Sequence, residues 1–238
     1  MTLRTRAEIH REEARFVAAL FQQDEWLVRQ QLVAALALER DEHDGVIVAD
    51  VGSGPGCSLR ALEGAGADCI VCVDLFKVML TEARRQLDTP APYPWHARAC
   101  MVQAHGEAVP LATASVHAAL CSGLLHSVHS PETLIYELAR IVRPGGRVVI
   151  GNKGLAPWLA GSDWYAIAVA CLGEPAMDPP PVHLLPPIAE DVRLEWVPAR
   201  AFYILSFQVG SGPTLNLDAV VPGDERTVAE LLHTEGTR

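Results

Sequence analysis

The 238-residue chain predicts a doubly wound α/β fold with a seven-stranded, mostly parallel sheet, a carboxyl-terminal antiparallel hairpin and helices before the first strand. Two observations predict this fold. Strand-length apolar stretches alternate with amphipathic helical stretches over residues 46–151, which is the pattern of a parallel sheet covered on both faces. Two further strands, at 192–197 and 202–209, are so close in the chain that they can pair only as an antiparallel hairpin.

The chain is divided into three parts by its composition. Residues 43–210 carry the strand–helix pattern and form the predicted main domain. Residues 1–42 form an amino-terminal extension with two expected helices, at 7–21 and from about Asp24 to Glu39, which either cover a sheet face or form a lid over a ligand. Residues 211–238 are polar and contain glycine and proline, so we expect a tail that frays.

The elements of the main domain follow from periodicity and from turn residues. The proline at position 131, directly after Ser130, is a strong signal for a helix start. The predicted strands are 46–51, 68–74, 98–104, 116–121, 147–151, 192–197 and 202–209; the predicted helices are 56–63, 76–87, the stretch after Ser130, and 157–172.

Composition and charge exclude several classes of partner. Half of the residues are hydrophobic, a fifth are charged, and the formal net charge is −10. A nucleic-acid surface needs a basic stripe, which this chain lacks, so we expect no nucleic-acid partner. No run approaches membrane-spanning length and the first residues lack an apolar signal core, so we expect a cytoplasmic protein without a membrane partner.

Cysteine and histidine are frequent but do not form a metal-binding pattern. Cys69 and Cys72 lie in a predicted strand, where side chains three positions apart point to opposite faces. His126 and His129 are three positions apart in a predicted loop, which is a weak spacing for metal ligands. We therefore expect buried free thiols and no metal site.

A glycine-rich loop follows the first strand and is the main functional signal. Gly52, Gly54 and Gly56 let the chain turn sharply and let backbone amides approach a ligand closely. A helix predicted to begin at about Cys57 adds free N–H groups and a partial positive charge. This element predicts a binding site for a small, polar, partly anionic molecule. Its third glycine comes one position earlier than in the dinucleotide fingerprint.

The glycine loop and three later stretches resemble the motif series of class I S-adenosylmethionine-dependent methyltransferases, which have a Rossmann-like fold. The stretches are Asp50-x-Gly52-x-Gly54-x-Gly56, Val71-Cys-Val-Asp74-Leu-Phe, Gln103-Ala-His-Gly-Glu-Ala-Val-Pro-Leu111, and Ala119–His126 together with Leu138–Ile150. They span residues 46–151 in the family's order. The resemblance implies S-adenosylmethionine as cofactor and S-adenosylhomocysteine as product.

The resemblance also implies which residues contact the cofactor. They are Asp50, Gly52, Ser53, Gly54, Gly56, Asp74, Leu75, His105, Gly106, Glu107 and Ser122. Asp74 would accept hydrogen bonds from the ribose hydroxyls, because a carboxylate is an acceptor-only group; the alternative is that Asp74 only caps the next helix. His105 and His117 stand where the family has acidic residues. These departures leave open a protein that binds the cofactor without methylating, or a partner subunit.

The methyl acceptor is expected to be a small molecule, such as a secondary metabolite, that offers a nitrogen, oxygen, sulfur or carbon nucleophile. His126 follows the fourth strand and is either a general base or an inert loop histidine. Asn152 and Lys153 leave the fifth strand, where open α/β sheets bind ligands. The further substrate candidates are Trp158, Trp164 and His183.

Two alternatives of a different class remain besides methyl transfer. One is the non-methylating cofactor binder named above. The other is an NAD-dependent oxidoreductase, which the glycine spacing and the terminal hairpin disfavour. The oligomeric state is open, and a homodimer is one candidate.

Overall fold

The computed structural model describes residues 25–39, 45–88, 95–154, 179–197, 202–211 and 221–222. These residues form one sheet with helices on both faces, so the expected α/β architecture is confirmed. The predicted helices at 7–21 and 157–172 lie outside the described residues. None of the described helices is long and apolar enough to cross a membrane.

The sheet has the order β3-β2-β1-β4-β5-β7-β6-β8. Its strands are β1 Ile47–Val51, β2 Cys69–Asp74, β3 Arg98–Gln103, β4 Val116–Ser122, β5 Val142–Lys153, β6 Ala189–Val197, β7 Phe202–Val209 and β8 Val221–Pro222. β1 to β5 pair in parallel, and β7 is antiparallel to both β5 and β6, as the short connection between β6 and β7 requires.

The eighth strand was not expected from the sequence. Val221–Pro222 pairs in parallel with Arg193 and Leu194 of β6, so these two residues belong to the sheet edge and not to a frayed tail. Proline is tolerated there because an edge strand does not need every N–H group for the ladder.

Four helices are described: α1 Glu25–Ala34, α2 Leu59–Gly64, α3 Lys77–Asp88 and α4 Pro131–Ile141. Two 3-10 turns, Leu125–Ser127 and Val182–Leu184, complete the set. The predicted start of α4 is confirmed, because the Ser130 side chain accepts a hydrogen bond from the Thr133 N–H at 3.1 Å and proline fills the first turn.

Two apolar layers cover the two faces of the sheet. The first joins α1, α2 and α3 to the sheet and includes Leu32, Leu36, Leu62, Leu80, Val48, Ile70, Cys72 and Val149. The second joins α4 and the turn at 182–184 to the sheet and includes Leu134, Leu138, Val182, Leu185, Val73, Ile150 and Phe207. Alternate residues of each strand contribute to opposite layers.

The buried side of α1 shows that this helix covers a sheet face. Leu32 is buried against β5, and Gly151 permits the contact because a Cβ at that position would lie 2.4 Å from Leu32 Cδ2. Of the two readings of the amino-terminal helices, sheet covering therefore holds for α1. The lid reading, which covers residues 1–42 as a whole, stays a prediction, and the residues before Glu25 lie outside the described part of the chain.

Strand geometry separates the two cysteines of the Cys-x-x-Cys sequence, as expected. Cys72 is buried in the first layer with Ile70, whereas Cys69 lies on the opposite face of β2. Both are free thiols.

Candidate cofactor site

The candidate site lies at the carboxyl edge of the parallel strands, where open α/β sheets bind ligands. The chain passes from β1 to β2 and β3 on one side and then returns to form β4 on the other side of β1. The strand order therefore reverses between β1 and β4, which makes this position the topological switch point. A cavity of about 330 Å³ opens at this edge. Five of the residues predicted to bind the cofactor line it: Gly52, Asp74, Leu75, His105 and Gly106.

The glycine loop is tied to the end of β2 by backbone hydrogen bonds. The N–H groups of Gly52 and Ser53 both donate to the Val73 carbonyl, at 2.8 and 3.1 Å. Gly52 has φ +74°, and a Cβ there would lie 2.9 Å from Leu124 Cδ2, so glycine is required on both counts. Gly54 has φ +53°, and its Cβ position faces open space. The loop thus presents bare backbone next to the cavity.

The helix after the loop begins later than the sequence predicted. α2 starts at Leu59 and not near Gly56, because residues 54–58 form consecutive turns. Gly56 packs against Leu59 and Ala83, and its N–H donates to the Ser53 carbonyl at 3.0 Å. The N–H groups of Gly52, Ser53, Gly54 and Gly56 all donate within the protein, so the loop offers a ligand close approach to its backbone and not free N–H groups.

Asp74 ends β2, and two backbone groups fix its carboxylate at the cavity wall. Oδ2 accepts the Gly54 N–H at 2.9 Å, and Oδ1 accepts the Phe76 N–H at 2.9 Å. The second bond lies just before α3, so Asp74 also organises the start of that helix. Each oxygen keeps a further lone pair, which allows the carboxylate to accept hydrogen bonds from a ligand.

Asp50 lies beneath the loop and does not line the cavity. It is 2% exposed, and its Oδ2 has no hydrogen-bond partner among the described residues. Burial raises the pKa of this carboxyl to about 7; the positive charge of Arg29 lowers it, and the negative charge of Asp74 raises it further. A cation bound nearby would favour the ionised form.

The third motif forms the wall opposite Asp74. The His105 side chain is 35% exposed at the cavity, and its Nδ1 lies 3.0 Å from Glu107 Oε2. Gly106 allows close packing, since its Cβ would lie 3.0 Å from Leu124 Cδ2 and 3.1 Å from Leu134 Cδ1. Glu107 does not line the cavity but accepts a hydrogen bond from the Ser130 N–H.

An ion pair on α4 fixes the same wall from behind. Arg140 donates to the carbonyls of Val109 and Leu111 at 2.9 and 2.8 Å, and also to Glu137. Glu137 Oε2 in turn accepts the Val109 N–H at 2.9 Å. The hydrogen bond from Arg140 is the main cause of a lowered pKa at Glu137, which keeps this carboxyl ionised.

Several predicted cofactor residues lie apart from the cavity. Ser53 is buried in the loop, Gly56 is packed under it, and Ser122 is half-buried at the end of β4. The cavity is also lined by residues that the sequence did not single out: Val73, Phe76, Ala104, Leu124, Ser127 and Val128. The last three come from the segment after β4. Leu124 lies within the fourth motif stretch, whereas Ser127 and Val128 had no signal beyond their position after that strand.

The predicted acceptor residues are spread over several elements. His126 is exposed on the turn Leu125–Ser127, Lys153 is exposed at the end of β5, and His183 is exposed on the turn Val182–Leu184. Asn152 is 2% exposed. Trp158 and Trp164 lie outside the described residues.

His117, the second departure from the family motif, lies away from this cavity. Its Nδ1 accepts the Ile47 N–H at 3.1 Å, at the start of β1 and therefore at the opposite edge of the sheet. This contact joins the starts of β1 and β4, so His117 has a structural partner and no contact with the cofactor wall.

Comparison with known proteins agrees with this geometry. Residues 49–150 match the family model described as a methyltransferase domain. Demethylmenaquinone methyltransferases of Parafrankia sp. (strain EAN1pec) and Clavibacter sepedonicus are 31% and 33% identical, over 48% and 53% of this chain and 49% and 50% of their own length. The chain thus spans about half the length of these curated relatives.

A solved structure shares the fold over more of the chain. A candidate S-adenosyl-L-methionine-dependent methyltransferase from Methanococcus maripaludis aligns over 90% of this chain and 100% of its own, with a TM-score of 0.58 at 14% identity. Residues 49–150 thus match a methyltransferase domain, and the chain shares its fold with this S-adenosyl-L-methionine-dependent neighbour.

Proposed function

We propose that the protein transfers the methyl group of S-adenosylmethionine to a small-molecule acceptor. The observation that carries the proposal is the cavity itself, in which Gly52, Asp74 and His105 meet from three separate strands. Its volume of about 330 Å³ falls within the range of small-molecule sites, roughly 300–1,000 Å³. When bound, S-adenosylmethionine supplies an electrophilic methyl group on a sulfonium, and the protein's contribution is positioning.

Asp74 is the residue proposed to hold the ribose. Its two oxygens are already oriented by Gly54 and Phe76, so the side chain pays little entropy on binding the two ribose hydroxyls. Leu75 and Phe76 follow it with 46% and 61% of their surface exposed, which offers an apolar contact for the adenine ring.

Asp50 lies beneath the loop and outside the cavity lining, so it is proposed to organise the loop and to stabilise the positive charges of the cofactor without contacting them. A buried carboxylate with an unpaired oxygen is costly in the absence of a counter-charge. The ammonium and sulfonium groups of S-adenosylmethionine are cations, and the bare backbone at Gly54 leaves room beside the loop. The residues present therefore fit this cofactor.

His105 is proposed to face the adenine amine. His105 Nδ1 lies 3.0 Å from Glu107 Oε2 and 3.3 Å from the Glu107 backbone nitrogen. We propose that the shorter contact, with the carboxylate, holds a proton on Nδ1, which leaves Nε2 free to accept a hydrogen bond. A histidine thus fills the acceptor role that an aspartate has in the family motif.

Asn152 is proposed to orient the methyl acceptor. Its Oδ1 is buried without a partner among the described residues, and such an orphaned group costs about 1–3 kcal/mol. It lies on the same sheet face as Tyr203 and Trp196, whose rings are 5.7 Å apart in an edge arrangement. The Gly123 N–H donates to the Gly151 carbonyl at 2.8 Å, which joins this end of β5 to the segment that lines the cavity.

We further propose His126 as a general base, because it lies exposed between cavity-lining residues of one turn. Lys153, Trp158, Trp164 and His183 stay proposed acceptor contacts. The acceptor class is proposed to be an aromatic small molecule, in line with the demethylmenaquinone named for two relatives.

Methyl-labelled S-adenosylmethionine tests the proposal. The protein is incubated with the labelled donor and, in parallel, with a metabolite extract and with a demethylated quinone; we expect a labelled small product. Cofactor binding by calorimetry with no product from any extract would favour the non-methylating alternative. Absence of cofactor binding would contradict the proposal as a whole.

A further inference from the structure

Three side chains with metal-binding atoms gather at the rim of the cavity. They are His105, Glu107 and His129, and one ligand atom from each lies within 4.8 Å of the other two. The rings of His105 and His129 are 6.4 Å apart. Two come from the segment after β3 and one from the segment before α4, so the cluster bridges two walls of the cavity.

The contact between His105 and Glu107 needs a positive charge. His105 Nδ1 lies 3.0 Å from Glu107 Oε2 and also accepts the Glu107 N–H at 3.3 Å. The nitrogen and the carboxylate oxygen face each other with lone pairs unless a proton or a metal ion lies between them. Two atoms bound to one zinc ion at about 2.0–2.2 Å are about 3.4 Å apart at the tetrahedral angle. The observed 3.0 Å is within a small side-chain rotation of that spacing, so the pair can share an ion.

The third side chain distinguishes a metal ion from a proton. A shared proton needs two atoms, whereas the cluster brings His129 within 4.8 Å of both others. His129 has no other role that the described contacts show, and it is exposed, so its ring is free to turn inward.

The carboxylate is oriented from behind, as metal ligands usually are. Glu107 Oε1 accepts the Ser130 N–H, and Ser130 is the N-cap of α4. The Glu107 side chain is 15% exposed, so it holds one orientation with Oε2 toward the histidines.

We propose that His105, Glu107 and His129 form a binding site for a divalent transition-metal ion of the zinc class. Two imidazole nitrogens and one carboxylate oxygen suit Zn²⁺ or Co²⁺ and disfavour Mg²⁺ and Ca²⁺, which prefer oxygen ligands. The remaining coordination position is open to water. The ion fastens residues 105–107 to residue 129 at the rim of the cavity.

The site has a consequence for the cofactor, and this part alone rests on the proposed function. A metal ion on His105 Nδ1 displaces the proton from that atom to Nε2, so Nε2 becomes a donor. It then no longer accepts the adenine amine. Metal binding and cofactor binding should therefore oppose each other.

Cobalt titration of the full chain tests the site without any assay of methyl transfer. The protein is stripped with a chelator and titrated with Co²⁺, and visible absorption reports coordination. We expect one ion per chain. His129→Gln should weaken binding about tenfold or more, and Glu107→Gln, which keeps an oxygen for the Ser130 N–H, should do the same. His96→Gln is the matched control, because His96 is exposed outside the cluster, and should bind as the unmodified protein does.

Two results would overturn the site: no saturable cobalt binding, or equal affinity in the His129→Gln and unmodified proteins, which would place the ion elsewhere. Thermal unfolding of the stripped variants checks that each is folded. Since these readouts need no cofactor, failure of the site is separable from failure of the proposed methyl transfer.

Discussion

Asp74 is the residue on which the cofactor assignment depends most. Its carboxylate already accepts two backbone N–H groups and lines the cavity. We expect Asp74→Ala to weaken S-adenosylmethionine binding by roughly 1.5–3 kcal/mol, because hydrogen bonds to a charged group are lost. Calorimetry measures this loss. Asp88→Asn, an exposed carboxyl at the end of α3, is the control and should leave the affinity unchanged.

Unchanged affinity in Asp74→Ala would remove this residue from the ribose role. A loss of folding would be recognised by the melting temperature. In that case Asp74→Asn, which retains an oxygen to accept the Gly54 N–H, is the variant to measure.

Asp50 links the stability of the fold to pH. Burial raises its pKa from 3.8 to about 7, so the folded protein holds this proton more tightly than the unfolded chain does. Its contribution to the free energy of unfolding is therefore fully present below about pH 4 and is lost as the pH rises through about 7. A shift of about 3 pH units corresponds to about 4 kcal/mol at most.

Asp50→Asn removes this titration. Urea unfolding of both proteins at pH 5 and pH 8 measures the effect. We expect the unmodified protein to lose about 2–4 kcal/mol relative to the asparagine variant between these two conditions. Two parallel pH profiles would show that the carboxyl titrates at its ordinary value in the fold.

At the scale of elements, the contact of α1 with β5 depends on the absence of a side chain at Gly151. A methyl group there would lie 2.4 Å from Leu32 Cδ2 and 2.9 Å from the Phe202 ring. We expect Gly151→Ala to lower the free energy of unfolding by about 1–3 kcal/mol through overpacking. Gly64→Ala, at an exposed helical position with nothing within 4 Å, should instead be neutral or slightly stabilising. Equal effects of the two changes in urea unfolding would contradict the packing of α1.

The ion pair on α4 acts on the cavity through the segment that it holds. Arg140→Met removes the donors to the Val109 and Leu111 carbonyls and leaves Glu137 without its partner. We expect a loss of stability of about 1–3 kcal/mol and weaker cofactor binding. Arg85→Met breaks an exposed pair with Glu82 of the same i,i+3 spacing and should change neither. Unaltered cofactor affinity in the Arg140→Met protein would show that the wall does not depend on this pair.

Elements with strong local patterns were predictable, and those set by distant contacts were not. Ser130 and Pro131 define the start of α4 within the local sequence, so that boundary was correct. The two residues of β8 carry no periodicity, since only the edge of β6 defines them as a strand. Leu124 faces Gly52 and Gly106 because three separate segments meet, which no local pattern reports.

The same distinction explains the histidines. The chain places His126 and His129 close together, yet the fold brings His129 to His105, which lies 24 positions away and on another wall. His105 itself was expected at the cavity because it lies within a motif. His117 also lay within the motif pattern, and only the structure shows that it binds the backbone of β1.

At the scale of the molecule, the two edges of the sheet differ in character. The carboxyl edge holds the cavity, with Asp74 in its wall and Asp50 buried beneath the glycine loop. The opposite edge has a second cavity of about 550 Å³, lined by His117 and by Arg143, Arg147 and Arg193. Arg147 and Arg193 both bind the Asp191 carboxylate. Burial alone would raise the pKa of this carboxyl, but the two guanidinium groups together outweigh burial, so its pKa lies below the ordinary value. The acidic groups of the cofactor site and the basic groups of the second cavity thus lie at opposite ends of the parallel strands.

Ligand binding to the carboxyl edge should stabilise the whole sheet, since its cavity joins the ends of β1, β2 and β3. A ligand at a free concentration 100 times its Kd adds about 2.7 kcal/mol to the free energy of unfolding. For a chain of this length that corresponds to a rise in Tm of roughly 5–11 °C. We expect this rise with S-adenosylmethionine and with S-adenosylhomocysteine, a smaller one in Asp74→Ala, and none with NAD. NAD and S-adenosylmethionine would both bind at the glycine loop, whose spacing fits S-adenosylmethionine and not NAD. A rise in Tm with NAD and none with S-adenosylmethionine would therefore favour the oxidoreductase alternative.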